Sequence, residues 1–457
     1  MGQRILIVGG AVAGPAAAIA ARDADPNAEI VLLDRERHVG FAAGALPYYL
    51  SKEIRSLADL LEQPPEHLRK AHGIDVRLGV ELLAVEPEKK RILVEVKGEQ
   101  QSLPYDKLVV ATGARSLWPT LPPSNAPNVF GFRSPGDGKG VDGILRKRRG
   151  GRVAVVGGGA MGLEAAEGFR RAGCQVAVIE KSSHVLDGDA DGFHRLVEER
   201  LRKAGARLHR NATVAAVSVD KSGAIKTLTL SSRAKLQVDL VVVTSGSTPN
   251  AEILLAAGAQ EGPSGSVLVD SALRTCLPDV FAAGACAALP HAITGEPVWL
   301  AQAGPAFRSG RAAGHNAATT TGDPLRASVL ETSLLRVFDS VSGRTGLDEA
   351  AAARFLGGEP AVGRIETTLP ARDACFRDQA PLRLRLLFAK ADGRILGAQA
   401  FGTAGVDKLL DTLATAITAG MRLAQLAGLD LCYSPPFAPL PHLLARLPVE
   451  KPGPGPA

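Results

Sequence analysis

Two stretches of the chain repeat one pattern of apolar and polar positions. In each, an apolar run leads into a glycine cluster, a segment with helical periodicity follows, and a second apolar run ends at an acidic residue. The pattern predicts a strand, a tight turn, a helix and a second strand, which together form a βαβ unit. The predicted strands are Arg4 to Val8 and Ile30 to Leu33, followed by Asp34, and Arg152 to Val156 and Gln175 to Ile179, followed by Glu180.

Further apolar runs complete the secondary-structure prediction. Leu108 to Val110 and Leu240 to Val243 read as buried strands, each of which runs into a turn. After about residue 326 the pattern changes, and a hairpin replaces the βαβ units. Its strands would be Leu382 to Phe388 and Arg394 to Ala400, with a long apolar helix over Val406 to Gly420. The sequence therefore predicts an α/β protein with an internal repeat and a separate α+β domain.

Composition and charge narrow the class of protein. Aliphatic residues, alanine and glycine dominate, and no apolar stretch reaches the roughly 18 residues that span a bilayer. Nothing near the first strand resembles a signal peptide, so we expect a cytoplasmic protein without a membrane span. The formal net charge of +6 comes from basic residues spread among acids, so no nucleic-acid partner is predicted. The five cysteines are scattered and lack metal-ligand spacing, which predicts no metal site.

The two glycine turns have the features of dinucleotide sites. A pyrophosphate needs backbone N–H donors, a helix N-terminus and no side chain in the way, and glycines after a strand supply all three. Asp34 lies 20 residues after Gly14, and Glu180 lies 18 after Gly162, where a carboxylate can bind a ribose. Glu180 favours NADH over NADPH because a carboxylate repels a 2′-phosphate. The predicted binding residues are Gly9, Gly10, Ala13, Gly14, Asp34 and Arg35 in the first unit, and Gly157, Gly159, Ala160, Gly162, Glu180 and Lys181 in the second.

The order of these motifs resembles the pyridine nucleotide–disulfide oxidoreductase family, in particular its coenzyme A-disulfide reductase and NADH oxidase branch. Further segments carry the resemblance: residues 41–49, 105–113, 281–284 and 433–437. It implies two Rossmann-like domains, the first binding FAD and the second NAD, plus a C-terminal α+β dimerisation domain that forms a homodimer. The expected domains are residues 1–114 and 246–325 for FAD, 115–245 for NADH, 326–450 for dimerisation, and a disordered tail at 451–457.

The resemblance also assigns cofactor-binding residues outside the two turns. These are Ala111, Thr112, Gly113, Arg133, Gly246, Gly284 and Ala285. It further implies that Glu164 lies near the nicotinamide and that Tyr433 reaches the active site of the partner subunit. The alternatives are a capping or surface carboxylate at Glu164 and a structural interface residue at Tyr433. Tyr48 and Tyr49 are interpreted as packing residues.

Three residues depart from the pattern of the family. The branch's redox cysteine falls at Gly44, and without a thiolate the family's route of disulfide reduction is not available. Ala285 replaces an aspartate that binds the ribitol of FAD, which would cost about 1–3 kcal/mol. Arg22 is followed by Asp23 where some relatives carry paired arginines, which argues against a coenzyme A site. Cys375 is a packed cysteine by default, with a displaced redox thiol as the alternative.

Two functions are compatible with these departures. In the favoured one, Gly44 exposes the flavin to a small-molecule acceptor, such as O2, a quinone or an organic substrate, so that electrons pass without a cysteine relay. Gly44, Glu164 and Tyr433 are then the candidate catalytic positions. In the alternative, the chain is a flavin- or nucleotide-binding partner protein that has lost its own turnover. The preserved NADH unit favours the enzyme.

Overall fold

The chain forms two compact units in a computed structural model, which describes residues 2–120, 125–148, 150–186, 192–319, 323–377, 380–440 and 442–447. One unit comprises Met1–Lys181, Ala212–His291 and Gly295–Val329, and the other comprises Ser182–Asn211, Ala292–Thr294 and Leu330–Ala457. The expected tail at 451–457 lies outside the described residues. The finer domain bounds given above stay a prediction.

The secondary structure alternates short strands and helices. The strands are β1 Arg4–Val8, β2 Glu29–Asp34, β3 Asp75–Leu78, β4 Val80–Glu86, β5 Arg91–Val96, β6 Glu99–Pro104, β7 Lys107–Val110, β8 Ala114–Ser116, β9 Val129–Phe130, β10 Arg152–Val156, β11 Gln175–Ile179, β12 Arg207–His209, β13 Val214–Val219, β14 Ile225–Leu230, β15 Lys235–Gln237, β16 Leu240–Val243, β17 Ser247–Pro249, β18 Val267–Leu268, β19 Val280–Ala282, β20 Ala287–Pro290, β21 Pro297–Trp299, β22 Ser333–Val337, β23 Ser340–Gly346, β24 Val362–Pro370, β25 Pro381–Ala389 and β26 Ile395–Gly402. The helices are α1 Ala13–Ala24, α2 Leu46–Leu50, α3 Pro65–His72, α4 Pro135–Lys147, α5 Ala160–Arg171, α6 Phe193–Lys203, α7 Glu252–Ala256, α8 Ala303–Ala318, α9 Glu349–Leu356, α10 Val406–Thr418 and α11 Leu423–Ala427.

Two parallel sheets organise the first unit. The order of the first is β19-β7-β1-β2-β3, and the second runs β11-β10-β16-β9 within this unit. In both, the strand before the glycine turn is central, because β1 pairs with β2 and β7 and β10 pairs with β11 and β16, all in parallel. Each glycine turn therefore lies at the carboxyl edge of its sheet, where strand order reverses and where open α/β sheets bind ligands. The predicted βαβ repeat is confirmed.

Helices α1 and α8 cross at unusually short range in the first unit. A Cβ at Gly310 would overlap the backbone of Ala13, and one at Gly314 would overlap that of Ala17. The four-residue spacing of the two glycines puts both on one face of α8, so the backbones can touch. The crossing joins the second part of the unit to the first dinucleotide turn, although the two are almost 300 residues apart in sequence.

An antiparallel sheet organises the second unit. Its order is β22-β23-β26-β25-β24, and α10 covers it with a buried apolar stripe. The predicted hairpin is confirmed, since β25 pairs antiparallel with β26. No described helix in either unit combines the length and the apolar character that crossing a membrane requires.

Candidate active site

The first glycine turn connects β1 to α1 and has no space for side chains. Gly9 has a φ of +116°, and a Cβ there would overlap the carbonyl of Ala111. A Cβ at Gly14 would overlap the carbonyl of Gly9, so α1 can approach the sheet only because Gly14 has no side chain. Ala13 is buried at the helix start. Helix α1 has no side-chain cap and no acid in its first turn, which leaves its N–H groups available to a phosphate.

Asp34 holds this turn from the end of β2. One carboxylate oxygen accepts from the backbone N–H of Gly10, and the other accepts from that of Glu36 at 2.6 Å. Burial raises the pKa of Asp34, and these two backbone donors oppose that rise. Arg35 points to solvent, with an ion pair to Glu36 at 3.9 Å. Asp34 therefore stabilises the loop and stands at the predicted ribose position, whereas the assignment of Arg35 to cofactor binding stays a prediction.

The second glycine turn repeats this geometry between β10 and α5. Gly157 also has a φ of +116°, and a Cβ at Gly162 would overlap the carbonyl of Gly157. Among the described residues, nothing lies within 4 Å of a Cβ at Gly159, which caps α5 ahead of Ala160 without a side-chain bond. Buried Glu180 accepts from the N–H of Gly158 at 2.6 Å, and the neighbouring Lys181 is exposed. The open position at Gly159 is where a pyrophosphate would approach the backbone of this turn.

The strands that link the two glycine turns cross beside them. Thr112 donates its hydroxyl to the carbonyl of Asn250 at 2.7 Å, and the Asn250 amide donates back to that of Thr112 at 2.9 Å. Ala111 is buried at the end of β7, and Gly113 (φ +70°) and Gly246 (φ +130°) turn the chain on either side. This pairing joins the segment after β7 to the segment after β17.

Arg133 lies at the same crossing. Its guanidinium donates to the Ser247 hydroxyl at 2.6 Å, one residue after Gly246, and burial lowers its pKa. Its backbone N–H donates to Asp137 at 3.0 Å. Arg133 is thus held in place by protein groups, and its assignment to cofactor binding stays a prediction.

Gly284 and Ala285 close the first site from the other side. Gly284 has a φ of +72°, and its N–H donates to the buried Ser309 hydroxyl of α8 at 3.0 Å. Trp299 donates its indole N–H to the carbonyl of buried Ala285 at 2.9 Å. Sequence reasoning missed Ser309 and Trp299, because no motif links them to the glycine. The segment is therefore held firmly although it lacks the aspartate of the family.

Gly44 occupies an exposed turn that opens onto free space. It lies in a short 3₁₀ turn, Ala43–Ala45, which continues directly into α2. Within the part of the chain that the structure describes, no atom comes within 4 Å of a Cβ built on Gly44. Gly44 is not among the residues with positive φ, so its backbone can accommodate any side chain. The exposed turn at Gly44, with the open space beside it, is called the Gly44 face below.

Helix α2 attaches this turn to the second dinucleotide unit. The Tyr48 hydroxyl donates to the Glu164 carboxylate of α5 at 3.0 Å. A Cβ at Gly168 would lie 2.6 Å from the carbonyl of Pro47, so the two helices are in backbone contact. The interpretation of Tyr48 as a packing residue stays a prediction, and no local pattern indicated its hydrogen bond to Glu164.

Tyr49 points away from this pair. It is buried, and burial followed by the Asp142 carboxylate of α4 raises its pKa. Lys52 binds the same carboxylate at 3.3 Å and lies over the Tyr49 ring. The two adjacent tyrosines therefore anchor α2 to different helices.

Tyr433 belongs to the second unit. It is half-exposed, and its hydroxyl donates to Asp373 at 3.0 Å. Hydrogen bonds from the Cys375 backbone and from Tyr433 lower the pKa of Asp373. Desolvation and the Asp373 carboxylate raise the pKa of the Cys375 thiol, which disfavours the thiolate that redox chemistry needs. Cys375 is exposed, so the default expectation of a packed cysteine is wrong, while its raised pKa argues against the displaced redox thiol.

Two dinucleotide turns on parallel sheets, an acid after each and an antiparallel C-terminal sheet define an FAD-dependent NAD(P)H oxidoreductase. Both turns fit such cofactors, because α1 and α5 begin there with no side-chain cap and no acid in the first turn, which leaves backbone N–H groups for a phosphate. No group of His, Cys, Asp and Glu side chains suited to a metal occurs among the described residues. The chain belongs to the pyridine nucleotide-disulphide oxidoreductase family, whose model matches residues 3–310, with the dimerisation domain of that family matching residues 335–444.

Named relatives agree with this class. The chain is 28% identical to an NADH oxidase of Methanocaldococcus jannaschii, over 95% of this chain and 96% of the relative. It is 30% identical to a CoA-dependent NAD(P)H sulfur oxidoreductase of Pyrococcus furiosus, over 96% of each. The solved structure of a water-forming NADH oxidase from Lactobacillus brevis bound to NADH is similar, with a TM-score of 0.88, 25% identity, and 97% and 96% of the two chains covered. The prediction of FAD and NADH as cofactors is confirmed.

Proposed function

We propose that this NADH oxidoreductase passes electrons from FAD directly to a non-disulfide acceptor, without a cysteine relay. The observation that carries the proposal is the Gly44 face. The position of the branch's redox cysteine holds a glycine, and the described structure leaves the space beside it open. A thiolate is required to attack a disulfide, so the acceptor must be reduced in another way.

The residues of the chain have distinct roles in this proposal. FAD, when bound, would take a hydride from NADH and release two electrons to the acceptor. The N-terminus of α1 and Asp34 would hold its pyrophosphate and ribose, and Glu180 would hold the ribose of NADH. Glu164 would lie beside the nicotinamide. The partner subunit's Tyr433 would border the acceptor.

The relatives support the redox class but differ in acceptor. Their names include an oxidase and a CoA-dependent sulfur oxidoreductase. In this chain the Arg22 guanidinium donates to the backbone carbonyls of His72 at 3.0 Å and Pro26 at 2.6 Å. These bonds occupy the guanidinium, which argues against its binding a coenzyme A phosphate. We further propose a cytoplasmic homodimer that uses the family's dimerisation domain.

Anaerobic half-reactions test the proposal. NADH should bleach the visible flavin band of the purified protein, and alkylation of the thiols with iodoacetamide should leave both bleaching and reoxidation unchanged. Gly44→Ala is the matched control for Gly44→Cys, because both add a Cβ where the described structure has space and only one adds a thiol. We expect a charge-transfer band in Gly44→Cys alone.

Two results would contradict the proposal. A flavin that NADH cannot bleach would favour the partner-protein alternative without turnover. A large loss of reoxidation after alkylation would show that one of the five cysteines has replaced the missing relay.

A further inference from the structure

The turn formed by residues 284–286, called the Gly284 turn below, lies at the sheet edge that carries the first dinucleotide turn. It follows β19, which is parallel to β7, and β7 is parallel to β1, so the carboxyl ends of these strands share one edge. A Cβ at Gly284 would lie 2.9 Å from the side chain of Ala13, the first residue of α1. The Gly284 turn therefore packs directly on the start of the helix that is expected to bind FAD.

Three hydrogen bonds hold this turn, each to a different element of the first unit. The N–H of Gly284 donates to the buried Ser309 hydroxyl of α8 at 3.0 Å. The Cys286 thiol donates to the last carbonyl of β7 at 3.4 Å. Trp299, the last residue of β21, donates its indole N–H to the carbonyl of Ala285 at 2.9 Å. The indole is thus the group that holds the middle of the turn.

The bond from Trp299 sets the direction of a whole peptide group. A trans peptide is planar, so the carbonyl of Ala285 and the N–H of Cys286 point in opposite directions. While the indole holds that carbonyl, the N–H of Cys286 is held on the side away from Trp299. Ala285 is buried, and a buried carbonyl that loses a donor favours a rearranged backbone. The conformation of the Gly284 turn therefore depends on one side chain of β21.

We propose that Trp299 is a positioning residue for FAD, which acts through the backbone of the Gly284 turn. The resemblance to the family implies an aspartate at position 285 that binds the ribitol directly, and Ala285 has no such group. A turn that is already fixed loses less conformational freedom when the cofactor binds, so a rigid backbone recovers affinity that the missing carboxylate does not supply. The inference requires FAD as the cofactor and does not depend on the electron acceptor.

The surroundings of Trp299 favour this role over simple packing. The residue is half-buried at the end of β21, which is the edge strand of the sheet β18-β20-β21. Its cross-strand partner is the small residue Ala288. A phenylalanine could fill the same place, whereas only the indole brings an N–H to the Ala285 carbonyl, at the ordinary distance of a hydrogen bond. Packing and positioning therefore predict different results for Trp299→Phe.

FAD release from the holoenzyme tests the proposal. Trp299→Phe keeps an aromatic ring and removes the donor, and its Kd for FAD, measured by dilution and ultrafiltration, should rise about tenfold. Trp118→Phe is the matched control, because it changes the other tryptophan of the chain, which is exposed, and it should hold FAD like the parent. With FAD in excess, Trp299→Phe should bleach with NADH at the parental rate and bind NAD⁺ within about twofold of the parent. Affinity for FAD is then the property that changes.

An isosteric replacement separates the donor from the shape of the ring. In Trp118→Phe the only remaining tryptophan is Trp299, so expression with benzothienylalanine replaces the indole N–H by sulfur at this position alone. That protein should hold FAD about tenfold more weakly than Trp118→Phe made with tryptophan. Because the ring system keeps its size, the comparison stays valid even where Trp299→Phe folds poorly.

Three results would overturn the inference. Equal affinity for FAD in the tryptophan and benzothienylalanine proteins would leave Trp299 as a packing residue. A loss in Trp299→Phe that the benzothienylalanine protein does not share would assign the effect to ring shape. An equal loss of FAD and NAD⁺ affinity would indicate a general loosening of the unit. The proposed function fails on a different measurement, the transfer of electrons to an acceptor, which FAD release does not involve.

Discussion

Gly159 and Gly162, three residues apart at the start of α5, should respond in opposite ways to the same added methyl group. At Gly162 a Cβ would overlap the carbonyl of Gly157 and lie 2.7 Å from the Thr244 hydroxyl, below the 3.0 Å that real Cβ contacts respect. At Gly159, with a φ of −75°, the described structure has nothing within 4 Å. We therefore expect Gly162 to be required by the fold of the protein and Gly159 to be required by the bound ligand.

The magnitudes follow from what the methyl group meets. Overpacking against a backbone that cannot rotate away should lower the free energy of unfolding of Gly162→Ala by about 1–3 kcal/mol, although alanine is the better helix former by about 1 kcal/mol. Gly159→Ala should unfold at nearly the parental urea concentration. A methyl group that clashes with the pyrophosphate by a similar energy should weaken NAD⁺ binding about 10- to 100-fold.

Urea unfolding and calorimetric titration with NAD⁺, which binds without turnover, measure the two effects separately. The expected pattern is a stable Gly159→Ala protein that binds poorly and a destabilised Gly162→Ala protein. A Gly159→Ala protein with parental affinity would refute the assignment of this turn to a pyrophosphate. A fully stable Gly162→Ala protein would refute the close packing of α5 on β10.

Other predictions test single contacts. Replacing Glu180 by Ala should raise the preference for NADPH over NADH about tenfold or more in steady-state kinetics, because the carboxylate no longer repels a 2′-phosphate; an unchanged ratio would contradict its ribose role. Ala285→Asp should tighten FAD binding about ten- to a hundredfold in a reconstitution titration if a ribitol bond is what the chain lacks. The Arg152 guanidinium lowers the pKa of Asp239 to about 2. The ionised Asp239 therefore adds its full share to the free energy of unfolding above its ordinary pKa near 4, and this share is lost as the pH falls towards 2. Asp239→Asn should therefore be less stable than the parent at neutral pH and equally stable at pH ~2 in acid unfolding. A difference that persists at that pH would mean that the carboxylate acts through packing rather than charge.

Local patterns predicted much of this molecule. Strands β1, β10 and β11 have the residue bounds read from their apolar runs, because parallel strands buried on both faces need unbroken aliphatic residues. The glycine turns were predictable because a positive φ and close helix packing both exclude side chains, as at Gly9 and Gly14. The glycine at position 44, where the resemblance to the family implies the redox cysteine, could also be read directly.

The sequence could not predict contacts that depend on distant segments. Ser309 reaches the N–H of Gly284 only because Gly310 and Gly314 bring α8 against α1. No local pattern indicates which carbonyls Arg22 will bond, since His72 lies on another helix. Such contacts arise when the sheet brings together chain segments whose separation carries no periodic signal.

The amino-acid sequence by itself determined that there are two dinucleotide turns and that position 44 is a glycine, where the resemblance implies a cysteine. Those properties reside in glycines and acids at short, fixed spacings. The tertiary structure decided how α2, the helix that follows Gly44, is held: it placed Tyr48 against Glu164 and turned Tyr49 towards Asp142. Two adjacent tyrosines have the same local chemistry, and only the helices packed on either side of α2 give them different partners.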